Sequence, residues 1–368
     1  MTKRLSGTTR LPQGLRGESP DQKFSALSDE NDPSKKGMRA LVRAPNWLGD
    51  TVMATPFIKR LGMKSAMAID VLVKPGLAEI FNGAPGVNEV LTLRPGEGLW
   101  ALAWRLRARD YAVAYILPPS FSSAFSCRLA GIPRRIGYAS DFRSPLLTEA
   151  IPLDERFHYV RRYGGLLGEA GTDVSASDLY VPRASEEETN AFLSEHKMSG
   201  TGKVLAVAPG SRAPARRWFP DRFAQVINGL GSQWATVLLL GAPEDRPFAD
   251  EVARLSRRTT INICGQTTLP LAASILARST VFLTNESGLM HVGWAVGAPL
   301  VVLAGPSNTR VTSPFGPQVQ VIQTRDLPCV PCVRNECYLR ADDYKRCLKM
   351  IQAGEVIEKI KSISEKPQ

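Results

Sequence analysis

The sequence predicts an α/β protein of two doubly wound halves that face each other across a cleft. Three observations carry that prediction. From Met38 onward, short apolar runs alternate with amphipathic stretches, the β-α-β pattern of a parallel sheet covered on both faces. The alternation pauses over a more polar stretch at 151–200 and then restarts. The chain has 368 residues and 43% hydrophobic content, enough for two cores at about 150 residues per domain.

In the first half, strands are expected at Met38–Arg43, Ala68–Val73, Glu89–Leu93 and Val113–Leu117. Helices are expected at Thr51–Leu61, Leu77–Asn82, Leu99–Arg109 and Ser122–Ala130. Trp100, Ala103, Trp104 and Arg107 recur at helical spacing in the third of these. Helical stretches at Arg156–Leu167 and Ser185–His196 bridge the halves. The second half reads as strands Val204–Ala208, Thr236–Leu240, Ile261–Cys264, Val281–Thr284 and Leu300–Ala304. Its helices fall at Asp221–Leu230, Glu244–Leu255, Leu269–Ala277, Leu289–Val296 and Gly354–Ile363. Residues 1–37 are polar, rich in Ser, Gly, Pro and charge, and read as a disordered extension. The expected division is therefore 1–37, 38–184 and 185–368.

The net charge of +11 favours anionic partners without choosing among nucleic acid, lipid headgroups and phosphorylated sugars. The arginines are scattered in pairs, such as Arg134-Arg135 and Arg216-Arg217, with no long basic run. No apolar run approaches the roughly 20 residues of a membrane span. Lys3, Arg4 and Arg10 precede no apolar signal core, so the expected location is the cytoplasm. Cys127 and Cys264 sit in apolar contexts as core residues. Cys329, Cys332, Cys337 and Cys347 form a C-x2-C-x4-C-x9-C cluster, read either as a structural zinc site or as reduced packing thiols.

In open parallel sheets ligands bind beyond the carboxyl ends of the strands, and the informative loops lie there. After the first strand, Asn46-Trp47-Leu48-Gly49-Asp50 lacks a G-x-G-x-x-G fingerprint but places one carboxylate at a helix start. Asp50 reads as an N-cap or as a general base. A base there needs an influence opposing the helix dipole, which favours the ionised carboxylate. Pro209-Gly210-Ser211 offers backbone and hydroxyl donors, and Arg216 and Arg217 can neutralise phosphates. In Pro243-Glu244-Asp245 a carboxylate could accept from ribose hydroxyls, though the run also reads as a plain helix start. Thr284-Asn285-Glu286-Ser287-Gly288-Leu289-Met290-His291 is a strand-turn-helix junction. Its free amides and positive helix end suit a diphosphate. Ser287 is the expected cap and Gly288 the point where another group approaches the backbone. No metal-binding carboxylate pair accompanies these loops.

Taken together, the motifs at Asn46–Asp50, Pro209–Ser211 with Arg216-Arg217-Trp218, and Thr284–His291, with the tail Cys329-Val330-Pro331-Cys332, Cys337 and Cys347, resemble the bacterial glycosyltransferases of family 9. Within that family the resemblance is to the ADP-heptose:lipopolysaccharide heptosyltransferases, the heptosyltransferase II group in particular, and it runs from about Met38 to the C-terminus. It implies a GT-B fold of two Rossmann-like domains, an inverting reaction and no required cofactor. By resemblance, Asp50 is the base and Asn46, Trp47 and Gly49 lie on the acceptor side. Gly210, Ser211, Arg216, Arg217, Glu286, Ser287, Gly288, Leu289 and His291 hold the donor diphosphate, with Glu244 near the ribose. The implied partners are ADP-heptose and a lipid-linked lipopolysaccharide core, met at the inner face of the inner membrane. Glu286 stands where the family usually has aspartate, and Arg216 where it usually has lysine. The rival readings are a nucleotide-sugar epimerase of the same fold and a nucleic-acid binder carrying a four-cysteine zinc module.

Overall fold

Strand β1 (Arg39–Arg43) lies at the centre of a six-stranded parallel sheet, flanked by β2 (Ala68–Val73) and β4 (Tyr111–Ile116). With β3 (Glu89–Thr92), β5 (Arg134–Ala139) and β6 (Glu149–Pro152) the order is β3-β2-β1-β4-β5-β6. The second sheet repeats the plan with β7 (Lys203–Ala208), β8 (Trp234–Leu239), β9 (Ile261–Asn262), β10 (Val281–Asn285), β11 (Leu300–Ala304) and β12 (Val319–Gln323), in the order β12-β11-β10-β7-β8-β9. This computed structural model describes residues 37–168, 174–198 and 202–365. Apart from Gly37, the extension expected at 1–37 lies outside the described residues.

Both halves are thus α/β and doubly wound. The strand order reverses between β1 and β4 in one sheet and between β7 and β10 in the other. Three strands escape the sequence reading. β5 opens on Arg134-Arg135 and so lacks the apolar run expected of a strand, while β6 and β12 are edge strands with one protected side.

Helix α1 (Leu48–Lys64) begins three residues before its expected start, so Gly49 and Asp50 lie in its first turn and Trp47, not Asp50, is the N-cap residue. Thr51 to Ile58 are all buried, because α1 lies between the sheet and the other half. Pro56 interrupts this helix and has no N–H for the carbonyl of Val52. The Thr55 hydroxyl donates to that carbonyl instead, at 2.7 Å. The Thr55 oxygen in turn accepts from the Tyr180 amide at 2.9 Å, which fastens the bridging segment to α1.

On the opposite face of the first sheet lie α2 (Leu99–Arg107) and α3 (Phe121–Leu129). Leu102, Ala103 and Leu106 form the buried stripe of α2, with Cys127 buried in the same core. The bridge carries α4 (Tyr159–Gly165) and α5 (Glu186–Glu195). The second sheet is covered by α6 (Pro220–Gly229), α7 (Arg246–Leu255), α8 (Leu269–Ala277) and α9 (Gly288–Ala295). The short α10 (Thr309–Thr312) and α11 (Arg346–Lys349) precede a C-terminal α12 (Ala353–Ser364). One apolar cluster runs from Val52 and Phe57 in the first half to Ile275, Met290 and Trp294 in the second, so the halves share a core beneath the site.

Candidate active site

The loops after β1, β7 and β10 end at the two points where strand order reverses, the usual position for ligands in such sheets. The first turns of α1 and α9 meet there. A methyl group added at Gly288 would lie 2.8 Å from Leu48 Cβ, and one added at Gly49 would overlap the His291 ring. The approach to the Gly288 backbone that the sequence left for a ligand is therefore taken by Leu48 of the other half. Leu289, expected at the diphosphate, packs against the shared core. Trp47 lies between cations, with the Arg212 guanidinium 4.5 Å and the Lys74 ammonium 5.5 Å from its ring centroid. The Asn46 side-chain oxygen accepts from Arg43 at 2.7 Å.

Asp50 is half-buried in the first turn of α1. Burial raises its pKa to about 6, and Arg216 of the other half pulls it the other way. Desolvation is thus the opposing influence that a base at a helix N-terminus requires. The phenols of Tyr159 and Tyr163 on α4 face the same carboxylate. Burial raises both, and the Asp50 charge adds to the shift. Their i, i+4 spacing in the expected bridging helix was the signal available in sequence.

Across from Asp50, hydrogen bonds tie the second-half loops together. The Asn285 side chain donates to Pro209 O at 2.5 Å and accepts from the Trp218 amide at 3.1 Å. The Ser211 hydroxyl, expected to serve a phosphate, donates to Glu286 O at 3.1 Å. Arg217 Nε donates to Ser211 O at 2.6 Å. The Glu286 carboxylate is buried and accepts from the Gly305 amide at 3.3 Å. Burial raises its pKa, opposed by Ser307 and Arg216 beside it. Gly210 backs onto Asp245. Glu244 is exposed, whereas burial raises the Asp245 carboxyl, which feels the Arg217 charge. Of the two neighbouring acids, Asp245 is thus the one packed against this rim, while Glu244 points to solvent.

Ser287 occupies the N-cap position of α9 but makes no side-chain capping bond. Its Oγ, the Nε of Arg216 and the Nδ1 of His291 are buried without a hydrogen-bond partner. Such atoms are costly unless another group meets them, and all three belong to the loop after β7 or to the start of α9. Burial lowers the His291 pKa to about 3, with His158 and Arg216 adding to the shift, so its imidazole is neutral near pH 7. His158 Nε2 lies 3.1 Å from Ser313 O, and its ring stands edge-on to Trp294 and Phe315. A second polar-aromatic seam thus closes the junction.

The four clustered cysteines are free and line one small cavity with Lys345 and Arg346. Among the described residues no group of three or more His, Cys, Asp or Glu is placed to hold a metal ion. Burial raises the Cys347 pKa to about 11 and keeps it a thiol. The segment braces the arginine loop. Lys345 Nζ donates to Arg217 O at 2.9 Å, and the Ala215 amide donates to Asn335 O at 2.9 Å.

Known proteins resemble this chain in sequence and fold. The family model for glycosyltransferase family 9 (heptosyltransferase) matches residues 99–341. The chain is 31% identical over 306 residues to lipopolysaccharide heptosyltransferase 2 of Escherichia coli K12, across 78% of this chain and 88% of that protein. The solved structure of E. coli ADP-heptose LPS heptosyltransferase II superposes with a TM-score of 0.74 at 28% identity, covering 89% of this chain and 98% of that one. The family 9 glycosyltransferase structure from Veillonella parvula, at 24% identity and a TM-score of 0.79, supports the fold alone. With paired doubly wound sheets and a family model over well more than half its length, the chain belongs to glycosyltransferase family 9, the heptosyltransferase family, and is a glycosyltransferase of the GT-B fold.

Proposed function

We propose that the enzyme transfers heptose from ADP-heptose to the inner core of lipopolysaccharide with inversion at the anomeric carbon. Asp50 takes the proton of the acceptor hydroxyl. The freed oxygen bonds to the anomeric carbon as the bond to the diphosphate breaks, and ADP leaves with the electron pair. Arg216 and the free amides at the start of α9 stabilise the departing charge. The observation that carries the reading is a half-buried carboxylate and an arginine with an unpartnered Nε, contributed by opposite halves to one place. The match to a solved ADP-heptose LPS heptosyltransferase II supports the choice of donor and acceptor.

Ribose recognition falls to Glu244 or, by its position on the rim, Asp245. The acceptor is lipid-linked, so the enzyme works peripherally at the inner face of the inner membrane. Among the described residues no helix is long and apolar enough to cross a membrane. The four-cysteine segment takes no step in the reaction. Its structural zinc is tested by metal analysis: one zinc per chain, lost in Cys332→Ser, supports it, and a fully active metal-free protein assigns the thiols to packing.

The test is a mass-spectrometric transfer assay offering ADP-heptose, UDP-sugars and GDP-sugars with heptose-deficient lipopolysaccharide. Heptose transfer from the ADP donor is expected. Asp50→Ala should lower turnover by about 10²–10⁴-fold with donor affinity kept, and Arg216→Ala should weaken donor binding. Unchanged turnover in Asp50→Ala removes the base from the mechanism. Conversion of free nucleotide sugar without an acceptor supports the epimerase reading instead.

A further inference from the structure

Apart from Trp47 at the candidate site, the exposed large aromatic residues of the first half gather on its outer face. Trp100 and Trp104 are 67% and 69% exposed on α2, and Leu99 beside them is also exposed. Phe121 opens the neighbouring α3, stacks on Phe125 at 5.7 Å and is itself exposed. The turn after β5 holds Phe142 96% exposed with φ of 53°, a left-handed conformation that disfavours a bulky side chain. That turn is fastened to α3 by the Phe121 amide, which donates to Asp141 Oδ2 at 2.6 Å.

The helical spacing of the tryptophans therefore serves no core. The i, i+4 pair faces outward while Leu102, Ala103 and Leu106 face the sheet. α2 and α3 pack side by side, and each starts at the carboxyl end of the strand before it, so Leu99, Trp100 and Phe121 lie at the same carboxyl edge of the sheet as Asp50, on its other face. Arg107 and Arg128 on the same helices are exposed, and Glu97 at the start of α2 is held by Arg105 at 2.7 and 2.8 Å. Tryptophan beside arginine on a short amphipathic helix is the composition that settles in the headgroup region of a bilayer. A net charge of +11 suits an anionic one, and an exposed apolar patch of this kind marks an interaction site.

The geometry points to the α2–α3 face, with the Phe142 turn, as the surface on which this enzyme docks to an anionic phospholipid bilayer. Docking there brings the first-half side of the cleft down to a membrane-anchored acceptor. The inference rests on the proposed lipid-linked acceptor for its purpose, but its evidence is the exposed face itself.

The test is flotation of the full chain with phosphatidylglycerol-containing vesicles and with phosphatidylcholine vesicles, for wild type and a Trp100→Ser/Trp104→Ser variant. Wild type should bind the anionic vesicles and only weakly the neutral ones. The variant should lose about tenfold or more in partitioning, since two large apolar groups no longer enter the interface. Its transfer to a deacylated, soluble core acceptor should stay within about twofold of wild type. An Arg107→Glu/Arg128→Glu variant should lose binding to the anionic vesicles specifically. Equal flotation of wild type and the tryptophan variant overturns the proposal. So does a wild-type dimer that the variant converts to monomer, which makes the face an interface between copies. Absence of transfer to the soluble acceptor by the wild type counts against the proposed reaction and leaves the docking measurement intact.

Discussion

Replacing Gly49 by alanine tests the junction on which the site is built. The added methyl would overlap His291 Cδ2 and lie 2.9 Å from Nε2. His291 is buried, with the Trp294 ring centroid 6.4 Å away, so its ring has little room to yield. Overfilling a packed site costs about 1–3 kcal/mol, and the better helix propensity of alanine returns at most about 1 kcal/mol. A net loss of about 1–2 kcal/mol lowers Tm by roughly 2–8 °C in a protein of this kind. The kinetic effect is larger because Asp50 is the next residue: moving a reacting group by about 1 Å costs on the order of 10²-fold in turnover. Thermal melts and steady-state transfer measure the two effects. Gly354→Ala is the control, since nothing lies within 4 Å of its added methyl. That change should hold or slightly raise Tm with full activity. If Gly49→Ala kept both Tm and turnover, the two helices would not cross at these glycines in solution, and a site shared between the halves would fall with them.

Acidity should act on rate and stability in different ways. Asp50 must be ionised to accept a proton, so kcat/KM should fall below about pH 6 and lose that limb in Asp50→Asn; a limb near the ordinary carboxylate value would show that burial does not tune it. His158 and His291 have folded pKa values of about 4 and 3, depressed by burial. The stability tied to them is present above about pH 6.5 and is lost as pH falls towards those values, at about 2 kcal/mol each by pH 5. Asp50, raised rather than lowered, contributes in the opposite sense and offsets about 1 kcal/mol between pH 7 and 5, and Glu286 and Asp245, also raised by burial, act in the same sense. Tm should therefore drop over that interval, and His158→Asn, which keeps an acceptor for the Val160 amide that His158 Nδ1 caps at the start of α4, should remove roughly half of the histidine contribution. An equal Tm change from pH 7 to 5 in His158→Asn and wild type would refute the buried neutral imidazole of His158. Lys345→Met removes the donor to Arg217 O and should weaken ADP binding several-fold in calorimetric titration. Undiminished affinity would show that the cysteine segment does not brace the arginine loop.

Local pattern was enough for much of this protein. The repeated strand-helix alternation implied two parallel sheets, because strands covered on both faces read as short apolar runs. The loops that carry Asp50, Arg216 and Glu286 were visible because they follow those strands and combine glycine with charge. Tertiary structure decided which groups meet. It put Leu48 and His291 against the two glycines, turned Asp245 rather than Glu244 towards Gly210, committed the Ser211 hydroxyl to a carbonyl, and left Trp100 and Trp104 facing outward. None of these choices has a periodic signature. Each depends on contacts between segments up to about 240 residues apart, and helical spacing alone does not say which side of a helix meets the sheet. The basicity of Asp50 is decided the same way: the helix start is written in the chain, but the desolvation that raises the carboxyl exists only once the tertiary fold has buried it.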